Sequence, residues 1–201
     1  MENKLFDDFL VQKIELEDTH LLYFPNFLST TEANDWFTFL LNKVNFQKGE
    51  ITLFGKTYDK PRLEAFYAEN ELTYSYSRKQ MKTQPFFTEL EDLKQRVESV
   101  SKLEFNAVLI NLYRNGIDSN GWHADNEKEL GSDPCIGSLS LGTERIFELK
   151  HNITSKKIKL KLEHGSLLCM MKGCQGNWKH QIPKDKNIST SRINLTFRKI
   201  R

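Results

Sequence analysis

A chain of 201 residues, 38% hydrophobic and 28% charged, is long enough to bury a core without disulfides or structural metal. No stretch offers the roughly 20 consecutive apolar residues of a membrane-spanning helix, and the acidic Met1–Asp8 segment lacks the apolar run of a secretory signal, so a cytoplasmic protein (nuclear in a eukaryote) with no membrane partner is expected. The net charge of +2 is uneven: 13 Lys/Arg against Glu163 and Asp185 from Lys150 to Arg201, but four Lys against nine acids over residues 1–50, which suits a polyanionic partner without requiring one.

In chain order, Ser29-Thr30-Thr31-Glu32 reads as a capping box, and Ala33, Phe37, Leu40 and Val44 follow at helical spacing. Ile51-Thr52-Leu53-Phe54 before Gly55-Lys56 reads as one arm of a hairpin, and Tyr74 and Tyr76 share one face of an extended segment. A second helix is expected to open at Pro85, with Phe86, Leu90, Leu93, Val97 and Val100 as its apolar stripe. Residues 105–113, 135–141, 145–149, 157–162, 166–171 and 191–200 are β-branched or apolar runs bounded by Gly, Asn, Asp or Pro, and read as strands. Helices first and strands after predict an α+β fold, helices packed against a β-sandwich or jelly roll. Cys135, Cys169 and Cys174 are odd in number without CxxC spacing, so neither a disulfide framework nor a zinc ribbon is indicated; Cys169 reads as a small buried hydrophobe.

Three features carry chemistry. In His123-Ala124-Asp125 an extended backbone points an imidazole and a carboxylate the same way, toward a shared metal or merely toward solvent. His180, ahead of Gln181-Ile182-Pro183, could complete a set of two His and one carboxylate, which leaves metal positions open and suits non-haem Fe(II) oxygenases. In Ser191-Arg192-Ile193-Asn194-Leu195-Thr196-Phe197-Arg198, alternation puts Arg192, Asn194, Thr196 and Arg198 on one face, either solvated or set to hold a small dicarboxylate through bidentate guanidinium contacts. Asn111 and Tyr113 end an otherwise apolar strand on one face, either as the rim of an internal pocket or as a strand emerging into solvent.

Taken together, Asn111-Leu112-Tyr113, His123-Ala124-Asp125, His180 and Arg192–Arg198 resemble the AlkB family of Fe(II)/2-oxoglutarate dioxygenases in type, order and spacing. The likeness continues through Ile136–Gly142 and His164–Leu168 and covers roughly residues 50–200. The resemblance implies a double-stranded β-helix (jelly roll): residues 1–201 as one domain, about 1–100 forming supporting helices and a nucleotide-recognition hairpin region, about 101–201 the catalytic core. It implies Fe(II) on His123, Asp125 and His180, 2-oxoglutarate held by Asn111, Tyr113, Arg192, Asn194 and Arg198 with Thr196 nearby, and O2 as oxidant. Which Arg meets which carboxylate stays open.

The same resemblance implies oxidative dealkylation of bases such as 1-methyladenine and 3-methylcytosine in DNA, possible only for a base extruded from the stack. It sets Tyr74 and Tyr76 over that base, Arg62 on the lesion-binding face, and Leu53 and Phe54 in a hairpin wedged into a duplex; Glu127, two residues past Asp125, is a candidate to read the base edge. Lys150, Lys156, Lys157, Lys159 and Lys161 are candidates for phosphate contacts. A monomer is expected. The alternatives are the same chemistry on methylated RNA or a protein side chain, a nucleic-acid-binding module without catalysis, and a zinc hydrolase, which would leave Arg192 and Arg198 without a task.

Overall fold

The computed structural model describes residues 10–53, 55–69, 75–76, 79–80 and 83–201; Phe54 and Tyr74, and the side chains of Leu53 and Tyr76, lie outside it. In chain order the elements are β1 (Gln12–Leu16), β2 (Thr19–Phe24), α1 (Thr30–Lys43), β3 (Gln47–Leu53), β4 (Lys56–Ala68), β5 (Ser75–Tyr76), β6 (Lys79–Gln80), β7 (Thr83–Pro85) and α2 (Thr88–Ser101). After them come β8 (Ala107–Tyr113), β9 (Asn120–His123), a 3-10 turn (Lys128–Leu130), β10 (Ile136–Gly142), β11 (Arg145–His151), β12 (Lys157–Leu162), β13 (Leu167–Met170), α3 (Cys174–Asn177), β14 (Trp178–Ile182) and β15 (Arg192–Arg198).

Two sheets dominate. The larger runs β1-β2-β13-β10-β15-β8-β4-β3, with β7 on β4, and the smaller runs β12-β11-β14-β9. The jelly roll is the pair of four-stranded faces β13-β10-β15-β8 and β12-β11-β14-β9, in which every pairing is antiparallel. No helix among the described residues is long and apolar enough to cross a membrane.

The helix expected after Ser29 forms as read: Ser29 N–H donates to Glu32 Oε2 at 3.0 Å and Glu32 N–H to Ser29 Oγ at 3.3 Å, and Ala33 and Leu40 are buried. The second helix differs at its start. Pro85 closes β7, whose residues pair in parallel with β4, and α2 opens three residues later with Phe87 as N-cap. A proline suits an edge strand because it lacks the N–H a neighbour would need, and that use outcompetes the helix-opening one. Leu90, Leu93 and Val97 are buried as the stripe requires. The hairpin at Gly55 also forms: Leu53 lies opposite Lys56, and Gly55 supplies the positive φ (79°) of a two-residue turn.

The larger sheet divides the interior in two. Its outer face packs Ile110, Leu139, Ile193, Leu195 and Phe197 against Leu40 of α1 and Leu90, Leu93 and Val97 of α2. Its inner face shares Leu109, Phe147, Leu149, Leu162, Leu168 and Trp178 with the smaller sheet. Burying one such aliphatic side chain contributes about 1.5–3 kcal/mol, so a sheet covered on both faces is held firmly. The polar rows on its inner face are thereby committed to the interior.

Candidate active site

β9 and β14 are neighbours in the smaller sheet, and their register places His123 directly opposite His180. The two rings stand 4.2 Å apart between centroids. Asp125 follows just past the end of β9, and ligand atoms of His123, Asp125 and His180 all lie within 4.8 Å of one another. His123 Nδ1 lies 2.7 Å from the carbonyl of Gly121, to which it can only donate, so its lone pair sits on Nε2. His180 is buried against Phe147, its ring 5.2 Å from that ring, and its Nδ1 has no hydrogen-bond partner among the described residues. Burial pushes the His180 imidazole down to about 3, the neighbouring His123 adding to the effect, so it stays neutral and able to ligate.

Burial by itself would raise the Asp125 carboxyl. Arg198, whose Nη2 donates to Asp125 Oδ1 at 3.0 Å, outweighs it with the two imidazoles and holds the group at about 2. The backbone beneath is tied as well: Asp125 N–H donates to Gln175 Oε1, 2.9 Å away on α3. An ionised carboxylate and two neutral imidazoles on one wall are a donor set for a divalent transition metal. The residues fit the ion.

The opposite wall is β15. All seven of its residues are buried, so the face left open between solvent and pocket by strand alternation is settled: Arg192, Asn194, Thr196 and Arg198 all line the cavity, with Asn111 and Tyr113 of β8. The cavity encloses about 440 Å³, part of it open to solvent. Asn194 is locked in place, donating from Nδ2 to Ser138 Oγ (2.9 Å) and Leu139 O (3.0 Å) and accepting from Thr196 Oγ1 (3.1 Å). Arg192 differs. Its Nη2 donates to Ser140 Oγ at 2.9 Å and its guanidinium lies 5.2 Å over the Tyr113 ring, yet Nε and Nη1 are buried without partners. No carboxylate pairs with it among the described residues, and burial lowers its pKa to about 10. A buried guanidinium with donors unspent is a built anion site. The keto acid's carboxylate fits it.

The remaining residues fall differently. Arg62 does not line the cavity; it is 3% exposed and spends Nε on Asn111 Oδ1 (2.8 Å) and Nη1 on Ser119 O (3.2 Å), so it braces Asn111. Glu127 caps the 3-10 turn two residues past Asp125, half-buried and outside the lining set. Sequence reading missed Asn120, Ser138, Ser140, Arg145 and Gln175. Ser138 and Ser140 were within reach, since they alternate with Leu139 on β10 as Asn194 and Arg192 do on β15. Arg145 reaches Asp118 O (3.0 Å) and Pro183 O (2.6 Å) and stacks 5.6 Å from Tyr113, across loops that no local pattern connects.

A jelly roll whose inner walls carry two histidines and a carboxylate on one side and an unpaired buried arginine on the other defines an iron- and keto-acid-dependent oxygenase. Residues 20–198 match the family described as the 2OG-Fe(II) oxygenase superfamily. The chain is 38% identical over 186 residues to the bovine alpha-ketoglutarate-dependent dioxygenase alkB homolog 3, covering 88% of this chain and 64% of that protein. The human protein of the same name is 35% identical, covering 99% and 73%. Human DNA oxidative demethylase ALKBH2 is 36% identical, covering 84% and 69%. A solved structure titled "The structure of OsALKBH1" superposes with a TM-score of 0.65 at 18% identity, covering 94% of this chain and all of that one, and bears out the fold. The chain belongs to the AlkB family of the 2OG-Fe(II) oxygenase superfamily, with Fe(II), 2-oxoglutarate and O2 as its cofactors.

Proposed function

We propose that this protein dealkylates N-alkylated bases in DNA, with His123, Asp125 and His180 holding Fe(II) and Arg192 holding the far carboxylate of 2-oxoglutarate. The iron, once bound with its co-substrates, supplies the oxidation: 2-oxoglutarate becomes succinate and carbon dioxide, the N-alkyl carbon is hydroxylated, and the product separates into the intact base and an aldehyde. One observation carries the reading. Arg192 is 2% exposed with two unpartnered nitrogens, across the same cavity from the His-Asp-His set. Only an anionic co-substrate gives both walls a task.

The protein's own residues set geometry and exclude water. Gly121 fixes the tautomer of His123, Arg198 holds Asp125 as a carboxylate, and Gln175 anchors its backbone N–H. Ser140 and Tyr113 aim Arg192, and Ser138 and Thr196 hold Asn194 beside it. DNA is favoured over RNA or a protein side chain because relatives bearing the name DNA oxidative demethylase align over 84% of the chain.

The test is an anaerobic mixture of protein, Fe(II), 2-oxoglutarate and an N1-methyladenine duplex, opened to oxygen, with succinate and adenine quantified together. Equal amounts of both, absent in His123→Ala, are expected. Succinate without repaired base sends the substrate to RNA or protein; neither product from iron-loaded protein overturns the reading.

A further inference from the structure

The outer face of the smaller sheet turns away from the iron site, and its basic residues are not arranged alike. One row runs Lys159 on β12, Glu148 on β11 and Gln181 on β14, in register. Here the charge is balanced: Lys159 Nζ lies 2.9 Å from Glu148 Oε1, and Gln181 Nε2 donates to Glu148 Oε2 at 2.7 Å. Lys161 is met by Glu144 at 2.9 Å and by Glu163 at 3.6 Å.

The next row is Lys157, Lys150 and Lys179. Lys150 stands directly opposite Lys157 on one side and Lys179 on the other. None of the three has an ion pair among the described residues. Glu148, the nearest acid along β11, is close enough to feel Lys157 but already has both oxygens engaged. Glu17 and Asp18 gather instead around the buried His151 at the end of β11. Like charges directly across a strand pair are destabilising, so a threefold repeat without a neutralising acid invites an external anion.

The position of the row says which anion. Strands lie about 4.8 Å apart, so the row spans roughly 10 Å, and a duplex carries a charge every ~3.4 Å along each strand. It begins on β14, beside β9. That edge strand turns His123 inward and leaves Trp122 39% exposed. We propose that the Lys157–Lys150–Lys179 row docks the phosphodiester backbone of the substrate DNA outside the lesion, the strand passing from the active-site mouth over β9. This rests on the reading of the substrate as nucleic acid.

The test uses the iron-loaded full chain with Lys150→Gln, Lys157→Gln and Lys179→Gln combined. Anisotropy measures binding of a 20-nucleotide DNA and a tetranucleotide at several salt concentrations. Turnover is followed on a methylated trinucleotide. Expected are a Kd for the 20-mer raised ~10-fold, a slope of log K against log salt shallower by about 2, and unchanged tetranucleotide binding and trinucleotide turnover. Lys159→Gln with Lys161→Gln should change the slope less. An unchanged slope in the triple variant overturns the proposal, as does an equal loss in the triple and the double variants. Tighter 20-mer RNA binding through the same row overturns the choice of DNA. If the triple variant melts early, the single variants decide: each raises Kd about twofold, or the proposal fails. Failure of the proposed activity looks different, as wild-type protein that makes no succinate with any methylated oligonucleotide.

Discussion

β15 and β12 are written in nearly the same way and end in opposite places. Arg192-Ile-Asn-Leu-Thr-Phe-Arg198 and Lys157-Ile-Lys-Leu-Lys-Leu162 both alternate polar with apolar residues and carry basic side chains at the polar positions. In β12 the lysines face solvent. In β15 every residue is buried, because the larger sheet has helices on one side and the smaller sheet on the other. A polar row enclosed in this way is costly unless each group finds a partner. Asn194 and Thr196 find theirs within the protein, Arg198 has Asp125, and Arg192 keeps donors for something that arrives from outside.

The sharpest break of this comparison is Arg192→Met. It should raise the KM for 2-oxoglutarate at least ~100-fold, as loss of a buried charged hydrogen-bond pair does, while the ligand-free protein melts no lower than wild type because an uncompensated buried charge has gone. A lower melting temperature with an unchanged KM would make Arg192 structural. On the other face of the same strand, Leu195→Ala should cost about 2–5 kcal/mol in urea unfolding, since Leu195 is wholly buried beneath the helices; a cost under 1 kcal/mol would mean that this face is loosely packed.

Two smaller effects sharpen it. Burial pushes the thiols of Cys169 and Cys174 up to about 12. For an acid whose folded pKa is raised, the fold keeps a proton that the unfolded chain releases. Stability should therefore be intact below the ordinary thiol pKa and decline as the pH rises from about 9 toward 12. Urea titrations at pH 8, 9.5 and 10.5 read this directly, and a decline that survives Cys169→Ala with Cys174→Ala would assign it elsewhere. Smallest of all is Lys159→Met on β12, expected to shift stability by less than about 0.5 kcal/mol because an exposed ion pair contributes little. A larger loss would show that the outer face of the sheet is held by its charges.

Local patterns carried much of this structure. Capping at Ser29, the Gly55 turn, six strands of the jelly roll and the two faces of β15 all follow from interactions within a few residues. The side chains that line the cavity were legible too, because strand alternation puts them on one face. Tertiary structure decided the rest. Pro85 went to a strand because β4 lay beside it, Arg62 turned inward because Asn111 offered an acceptor, and Gln175 took hold of Asp125 across 50 residues of chain. Alternation tells which residues share a face. What covers that face is set by elements distant in sequence, and here that separates an anion site from a solvated row.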